Sequence, residues 1–250
     1  VEMELVRVPE GEFMMGSDKQ KDPEAYDNEL PQHKVYLAEY LIGKSSVTVA
    51  QFAAFIKASG YKTTAEKEGS GHDWQHPRGA GSDVVHKAAH PVTFVNWDDA
   101  LAFCAWVSEV TGRELRLPSE AEWEKAARGT DGRIFPWGKQ KADATLCNFN
   151  LNVKDTTPVG QYSPQGDSPY GCADMAGNVW EWTNSLFKGY PNQIGDGREE
   201  GGSRDVRVLR GGSFFSLSNL RNLRCASRYY TYPRNFDFGF RVCASPISKF

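Results

Sequence analysis

The last segment of the chain, Val208 to Val242, sets the tightest limit on the fold. It reads VLRGGSFFSLSNLRNLRCASRYYTYPRNFDFGFRV, dense in aromatic residues and arginine and obeying no period. A half-buried strand alternates apolar with polar residues, and an amphipathic helix repeats them at three and four; Tyr229-Tyr230-Thr231-Tyr232-Pro233 does neither. Pro233 also blocks a helix through it. The Gly211-Gly212 pair ahead of Phe215, Ser216, Leu217 and Ser218 suits a chain leaving a strand through a tight turn. The aromatic residues of this segment are therefore expected on loops.

Rings usually bury most of their area, which makes Phe214 and Phe240 candidates for the core. Three tyrosines in four residues beside a proline cannot all point one way, so Tyr229, Tyr230 and Tyr232 are candidates for a surface. A loop rich in Tyr, Ser, Asn and Arg has the composition of a paratope, where rigid amphipathic rings supply contact area at little entropic cost. Between Gly211 and Cys243 there is no Lys, Glu, Gln, Met or Trp, although all five occur elsewhere in the chain. Their codons end in a purine, so the window fits a segment whose variable codons end in a pyrimidine.

The even composition of 250 residues, 40% of them hydrophobic, favours one domain over 1-250 with a real core. A formal charge of −3 gives no reason to expect nucleic acid or an anionic membrane as partner. No apolar run approaches the ~20 residues that span a bilayer, so no membrane insertion is expected. The cysteines, Cys104, Cys147, Cys172, Cys225 and Cys243, are widely spaced and odd in number without a C-x-x-C pair, and read as mostly buried free thiols. The opening VEMELVRVPEG lacks the basic and apolar regions of a secretory signal. Cytoplasmic and surface-displayed locations both stay open.

Along the chain, Glu4–Pro9 and Gly11–Gly16 read as strands with a turn between them, and residues 17–34 as a loop. His33–Leu37 and Tyr40–Gly43 read as further strands. Thr48 caps a helix carrying Phe52, Phe55 and Ile56 at helical spacing. Residues 61–89 are polar and hold His72, His76 and His86, with His90 just beyond; their spacing matches no ligand pattern, and a solvated loop is the reading. His90–Val95 is expected as a strand, followed by a second helix capped by Asn96. Ser119 and Glu122 form a capping box for a third, short helix, whose first turn accounts for Glu120, Glu122 and Glu124. Asn178–Thr183 alternates like a strand with tryptophans on one face.

Taken in order, several pieces resemble the sulfatase-modifying factor family, the formylglycine-generating-enzyme domain. They are Val8-Pro9-Glu10-Gly11 with Phe13–Ser17, His90-Pro91-Val92 with Trp97, Arg116–Glu124, Phe135-Pro136-Trp137-Gly138, Met175–Trp182, Arg210-Gly211-Gly212-Ser213 and Gly239-Phe240-Arg241. The resemblance implies an α+β domain with a C-type lectin-like fold, two main helices, small antiparallel sheets and much loop. Enzymes of that family oxidise a substrate cysteine with two active-site cysteines. Here those positions fall on Ser216 and Arg221, and neither can supply a thiolate for metal binding or disulfide exchange.

The C-terminus also resembles the variable proteins of diversity-generating retroelements, which share this lectin-like fold. Arg210–Ser213, Arg228, Pro233-Arg234-Asn235 and Gly239–Val242 look like the fixed frame of such a protein. Phe215, Ser216, Leu217, Ser227, Tyr229, Tyr230, Thr231, Tyr232, Phe236 and Phe238 look like its varied, ligand-binding positions within residues 208-243. The resemblance implies a non-enzymatic recognition protein whose partner is a protein or cell-surface ligand. Arg221, Arg224, Arg228 and Arg241 are expected to brace the loops through forked hydrogen bonds to carbonyls. The rivals are a sulfatase-maturation-type oxidase or related iron-dependent oxygenase, and a purely structural module. No cofactor is required, but the family resemblance implies a structural calcium ion held by Asp174, Gly177, Val179 and Glu181, with Asn148 and Asp155 as a second site. Alternatively Asp174 and Glu181 merely cap and hydrogen-bond a turn.

Overall fold

Each α-helix among the described residues starts on a reciprocal capping box, in which the cap side chain accepts an N–H from the first turn while the third residue's side chain accepts the cap N–H. Thr48 and Gln51 open α1 (Val49–Ser59), and Thr63 and Glu66 open α2 (Thr64–Glu68). Asn96 and Asp99 open α3 (Trp97–Thr111), and Ser119 and Glu122 open α4 (Glu120–Arg128). The structure is a computed structural model in which residues 2–193, 195–202, 205–217, 219–231 and 234–246 are described.

The strands are short: β1 (Leu5–Val8), β2 (Gly11–Met15), β3 (His33–Leu37), β4 (Tyr40–Gly43), β5 (Leu115–Arg116), β6 (Trp180–Leu186), β7 (Arg207–Arg210), β8 (Tyr229–Thr231), β9 (Phe238–Phe240) and β10 (Cys243–Ala244). They form one sheet ordered β1-β4-β10-β5, a β2-β3 pair, and a second sheet ordered β8-β7-β6-β9. The result is an α+β domain with α1 and α3 as its main helices, small sheets and long loops, as the C-type lectin-like resemblance implies.

The main core lies between α1, α3 and the β6–β9 edge. Phe52 stacks on Phe103 at 6.0 Å between centroids, and Phe240 meets Phe103 edge-on at 5.4 Å. A second cluster joins Trp123 of α4 to Tyr40, Ile42, Met175, Cys225 and Cys243. All five cysteines are buried and unpaired, and burial pushes each thiol up, Cys104 and Cys225 to about 12. No helix is long and apolar enough to cross a membrane among the described residues.

Four expectations change. His90–Val95 is not a strand: Pro91 makes one isolated bridge to Thr48, and Phe94 takes a positive φ of 60° while its N–H reaches Asn235 O. The segment serves two neighbours in turn and can align with neither as a ladder. The polar stretch after Tyr61 contains the short α2, which its capping box nucleates. β1 and β2 do not pair with each other but enter different sheets. One pairing, β6 with β9, is parallel.

Candidate recognition surface

The charge of the C-terminal segment sets its architecture. Residues 208–242 hold six arginines and a single acid, Asp237. Four of those arginines, Arg210, Arg224, Arg228 and Arg241, are at most 4% exposed, so carboxylates must come from elsewhere in the chain. Helix α4 provides two. Arg210 donates to Glu120 at 2.7 Å and to Glu124 at 3.0 Å, and Arg228 forks onto both oxygens of Glu120. The 18–30 loop provides two more: Arg224 donates to Glu29 at 2.6 and 2.7 Å and to Asp22 at 2.8 Å. Strand β6 provides the last, with Arg241 on Glu181 at 2.6 and 2.9 Å. Burial alone would raise the Glu120 carboxyl, but Arg210 and Arg228 more than offset it and hold the group below its ordinary range.

Of the four arginines expected to reach carbonyls, Arg228 donates to Asn28 and Lys188, Arg241 to Gly43 and Ala173, and Arg221 to Glu24 and Ala25, whereas Arg224 pairs with carboxylates instead; Arg210, not among the four, donates to Cys225 and Ser227. The expectation changes for Glu120 and Glu124, which are not simply acids of a first helical turn. They are fully buried counter-charges to a segment about a third of the chain away, and only Glu122 keeps the capping role.

Above this frame stands an exposed tier. Phe215 is 43% exposed, Leu217 50%, Tyr229 43% and Tyr230 49%. The outward rings are braced from beneath: Tyr229 lies against Trp180 at 5.2 Å, Tyr230 stacks on Phe187 at 4.0 Å, and Phe215 meets Phe236 edge-on at 5.2 Å. Arg78, from the long loop after α2, places its guanidinium 5.0 Å from the Phe214 ring and 5.1 Å from Phe236. Thr231 and Phe236 are partly buried, and Tyr232 lies outside the described residues. The tyrosines of β8 stand on an edge strand of the second sheet, not on a loop, because β8 pairs with β7.

Three of the varied positions do not face outward. Phe238 is 4% exposed because β9 is the parallel partner of β6, which turns its ring onto Trp182 in the main core. Ser227 is 1% exposed beneath Arg210. Ser216 is 5% exposed, its Oγ accepting the Ser213 N–H at 3.1 Å. Arg221 lies 4.0 Å over the Tyr26 ring and donates Nε–H to Glu24 O at 2.7 Å. A hydroxyl and a guanidinium thus stand at the positions where the resemblance puts thiols.

The calcium reading meets a physical obstacle. Both oxygens of Glu181 are already taken: one by Arg241 and Trp123 Nε1–H, the other by Arg241 and Ser46 Oγ–H. A calcium ion held by Asp174, Gly177, Val179 and Glu181 would have to displace some of these donors from Glu181. Asp174 accepts the Gly160 N–H at 2.6 Å, and burial raises its carboxyl to about 6. Gly177 has a different role: a Cβ there would meet Asn148 O at 2.3 Å, so glycine permits the close approach of the two loops. At the second proposed site the Lys87 ammonium sits 2.7 Å from Asp155, where a cation would be. Among the described residues no group of three or more His, Cys, Asp or Glu is placed to hold a metal ion, and His90 instead hydrogen-bonds Thr156.

Residues 2–246 match the sulfatase-modifying factor enzyme 1-like domain. The chain belongs to that family. It is 35% identical over 288 residues to the formylglycine-generating enzyme of Streptomyces coelicolor, covering 96% of this chain and 88% of the relative. It is also 30% identical over 295 residues to an inactive C-alpha-formylglycine-generating enzyme 2 of Bos taurus, covering 98% and 89%. The family thus includes members named as enzymes and members named as inactive, and membership alone does not assign catalysis. Among solved structures, Treponema denticola variable protein 1 superimposes with a TM-score of 0.72 at 23% identity, covering 98% of this chain and 96% of that one, a likeness of fold.

Proposed function

We propose that this protein is a non-enzymatic ligand-recognition protein whose C-terminal segment, diversified by a retroelement, forms the binding surface on a lectin-like scaffold. The observation that carries the reading is the division within that segment: Phe215, Leu217, Tyr229 and Tyr230 project from the surface while Arg210, Arg224, Arg228 and Arg241 lie buried beneath them. Half-exposed rings, each packed on one side against a fixed neighbour, offer contact area with little rotamer freedom left to lose on binding. The buried ion pairs hold the backbone in place whichever side chains stand at the outer positions. The pyrimidine-ending codons available to those outer positions agree with diversification.

The same segment argues against cysteine oxidation. Ser216 and Arg221 offer no thiolate, and every cysteine present is buried with a raised pKa, the opposite of a reactive environment. The partner is a protein or a cell-surface ligand that the outer aromatic tier contacts.

The DNA beside the gene tests the reading. The expected finding is a near-copy of the coding sequence for residues 208–243, differing at adenines, together with a reverse transcriptase gene. Turnover of a cysteine-containing peptide to its aldehyde by the purified protein, with copper or iron supplied, would overturn the proposal in favour of an oxidase or oxygenase.

A further inference from the structure

A cavity of about 460 Å³ opens between the 18–30 loop, the loop from Ile134 to Lys141 and the 3-10 turn Leu220–Leu223. It shares no residue with the exposed aromatic tier. Its floor is apolar: Ile134, Phe135 and Leu220 belong to one hydrophobic cluster, and Pro23 closes one side. Its rim is cationic. Arg224 is more than neutralised by Asp22 and Glu29 below. With the one carboxylate that Arg224 leaves in excess, Lys139, Lys141 and Arg221 stand against two negative charges, that one and Glu24, so the rim keeps a small positive excess carried by its exposed groups. Lys139 and Lys141 are exposed and have no ion-pair partner among the described residues.

Arg221 is held in place for such a role. Its Nε and Nη2 donate to Glu24 O and Ala25 O and its plane lies on Tyr26, which leaves Nη1 without a partner among the described residues. A pre-positioned guanidinium with a spare donor suits a carboxylate, and it loses less freedom on pairing than a lysine would.

We infer that this cavity docks an acidic peptide segment: a large apolar side chain fills the floor over Ile134, Phe135 and Leu220, and flanking carboxylates pair with Lys139, Lys141 and Arg221. Against the chain's overall charge of −3, a cationic rim makes the attraction for an acidic ligand local. The inference goes beyond the recognition surface and holds whether or not that surface is diversified.

The test is fluorescence anisotropy on the intact protein with a labelled peptide in which a Phe-Leu pair is flanked on both sides by Asp and Glu. Two control peptides carry Asn and Gln in place of the acids, or Ser-Ser in place of Phe-Leu. Saturable binding of the first peptide is expected, weakened by added salt and reduced roughly tenfold or more by Lys139→Glu with Lys141→Glu, a change at exposed side chains. Both control peptides are expected to bind at least as poorly as that variant does. Failure of the acidic peptide to bind overturns the inference, as does binding indifferent to the lysine variant. Equal binding of the Ser-Ser control, or of a single-stranded oligonucleotide, reduces the site to unspecific charge attraction and also overturns it. Tyr229→Ser with Tyr230→Ser is expected to bind the peptide like the parent, which separates this outcome from the fate of the recognition surface.

Discussion

Two tiers of one segment meet opposite physical demands. Arg210, Arg228 and Arg241 are buried and paired with carboxylates of α4 and β6, whereas Tyr229, Tyr230, Phe215 and Leu217 are half exposed and touch mainly one another's supports. In the lower tier each side chain is determined by a partner of opposite charge, so a substitution strands that partner. In the upper tier each side chain has one packed face and one face toward solvent, so many residues satisfy it. Fixing the path of a loop through buried ion pairs frees its outer side chains to change without refolding, and that freedom is what a recognition surface needs.

The sharpest way to break the comparison is to remove a lower-tier arginine. Arg241→Ala leaves the fully buried Glu181 with only Ser46 and Trp123 as donors. Uncompensated buried charge of this kind costs on the order of 3–5 kcal/mol. Arg210→Ala is milder, because Glu124 keeps Arg128 and the Gly16 N–H while Glu120 keeps Arg228. Urea midpoints measured near pH 7 should fall accordingly for Arg241→Ala and by less for Arg210→Ala, whose carboxylate partners each keep one arginine. A loss below about 1 kcal/mol would mean that the frame is not held by these pairs.

Asp174 sharpens the comparison because it is a buried acid without an arginine of its own. Its carboxyl rises from 3.8 to about 6, so the native state holds a proton between these values that the unfolded state has released. Stability therefore falls as pH rises through this window, by about 3 kcal/mol at ~1.4 kcal/mol per pH unit. Asp174→Asn removes the penalty: asparagine still accepts the Gly160 N–H and tolerates the positive φ of 55°. The variant should match the parent near pH 4 and exceed it above pH 6, as read from paired denaturant titrations. A bound calcium would reverse the sign, making the variant less stable in calcium and the parent sensitive to chelator.

What the sequence made legible was local. Thr48, Asn96 and Ser119 each stand three residues before the side chain that completes their box, and all three helices start there. The outward placement of Tyr229 and Tyr230 followed from proline and crowding within four residues. What stayed hidden was long-range. Glu120 lies 90 residues from Arg210 and 108 from Arg228, and no periodicity connects them. The available signal was one of charge: six arginines with one acid in a segment too aromatic to stay in water imply carboxylates waiting elsewhere. Phe238 misled for a similar reason, since its burial depends on β9 joining β6 in parallel, a pairing between chain segments 58 residues apart in number, Trp180 with Phe238.

The smallest effect is expected where the upper tier is cut away. Leu217→Ser removes a side chain 50% exposed and should change stability by no more than about 0.5 kcal/mol. Tyr229 and Tyr230 each keep one close ring contact, with Trp180 at 5.2 Å and Phe187 at 4.0 Å, and wider ones with each other and, for Tyr229, with Phe238; such contacts are worth roughly 0.5–1.5 kcal/mol apiece at most when both faces are buried. Here one face stays in water, so Tyr229→Ser with Tyr230→Ser together should cost about 1–2 kcal/mol, less than Arg241→Ala alone. Binding should respond in the opposite order: the double tyrosine variant abolishes capture of whatever cell or protein the parent binds, while its fold, followed by circular dichroism, persists at 25 °C. Denaturant midpoints of the tyrosine and arginine variants, measured side by side, decide the matter. If the tyrosine pair unfolds the protein more readily than Arg241→Ala, the two tiers are one core and the surface has no independent existence.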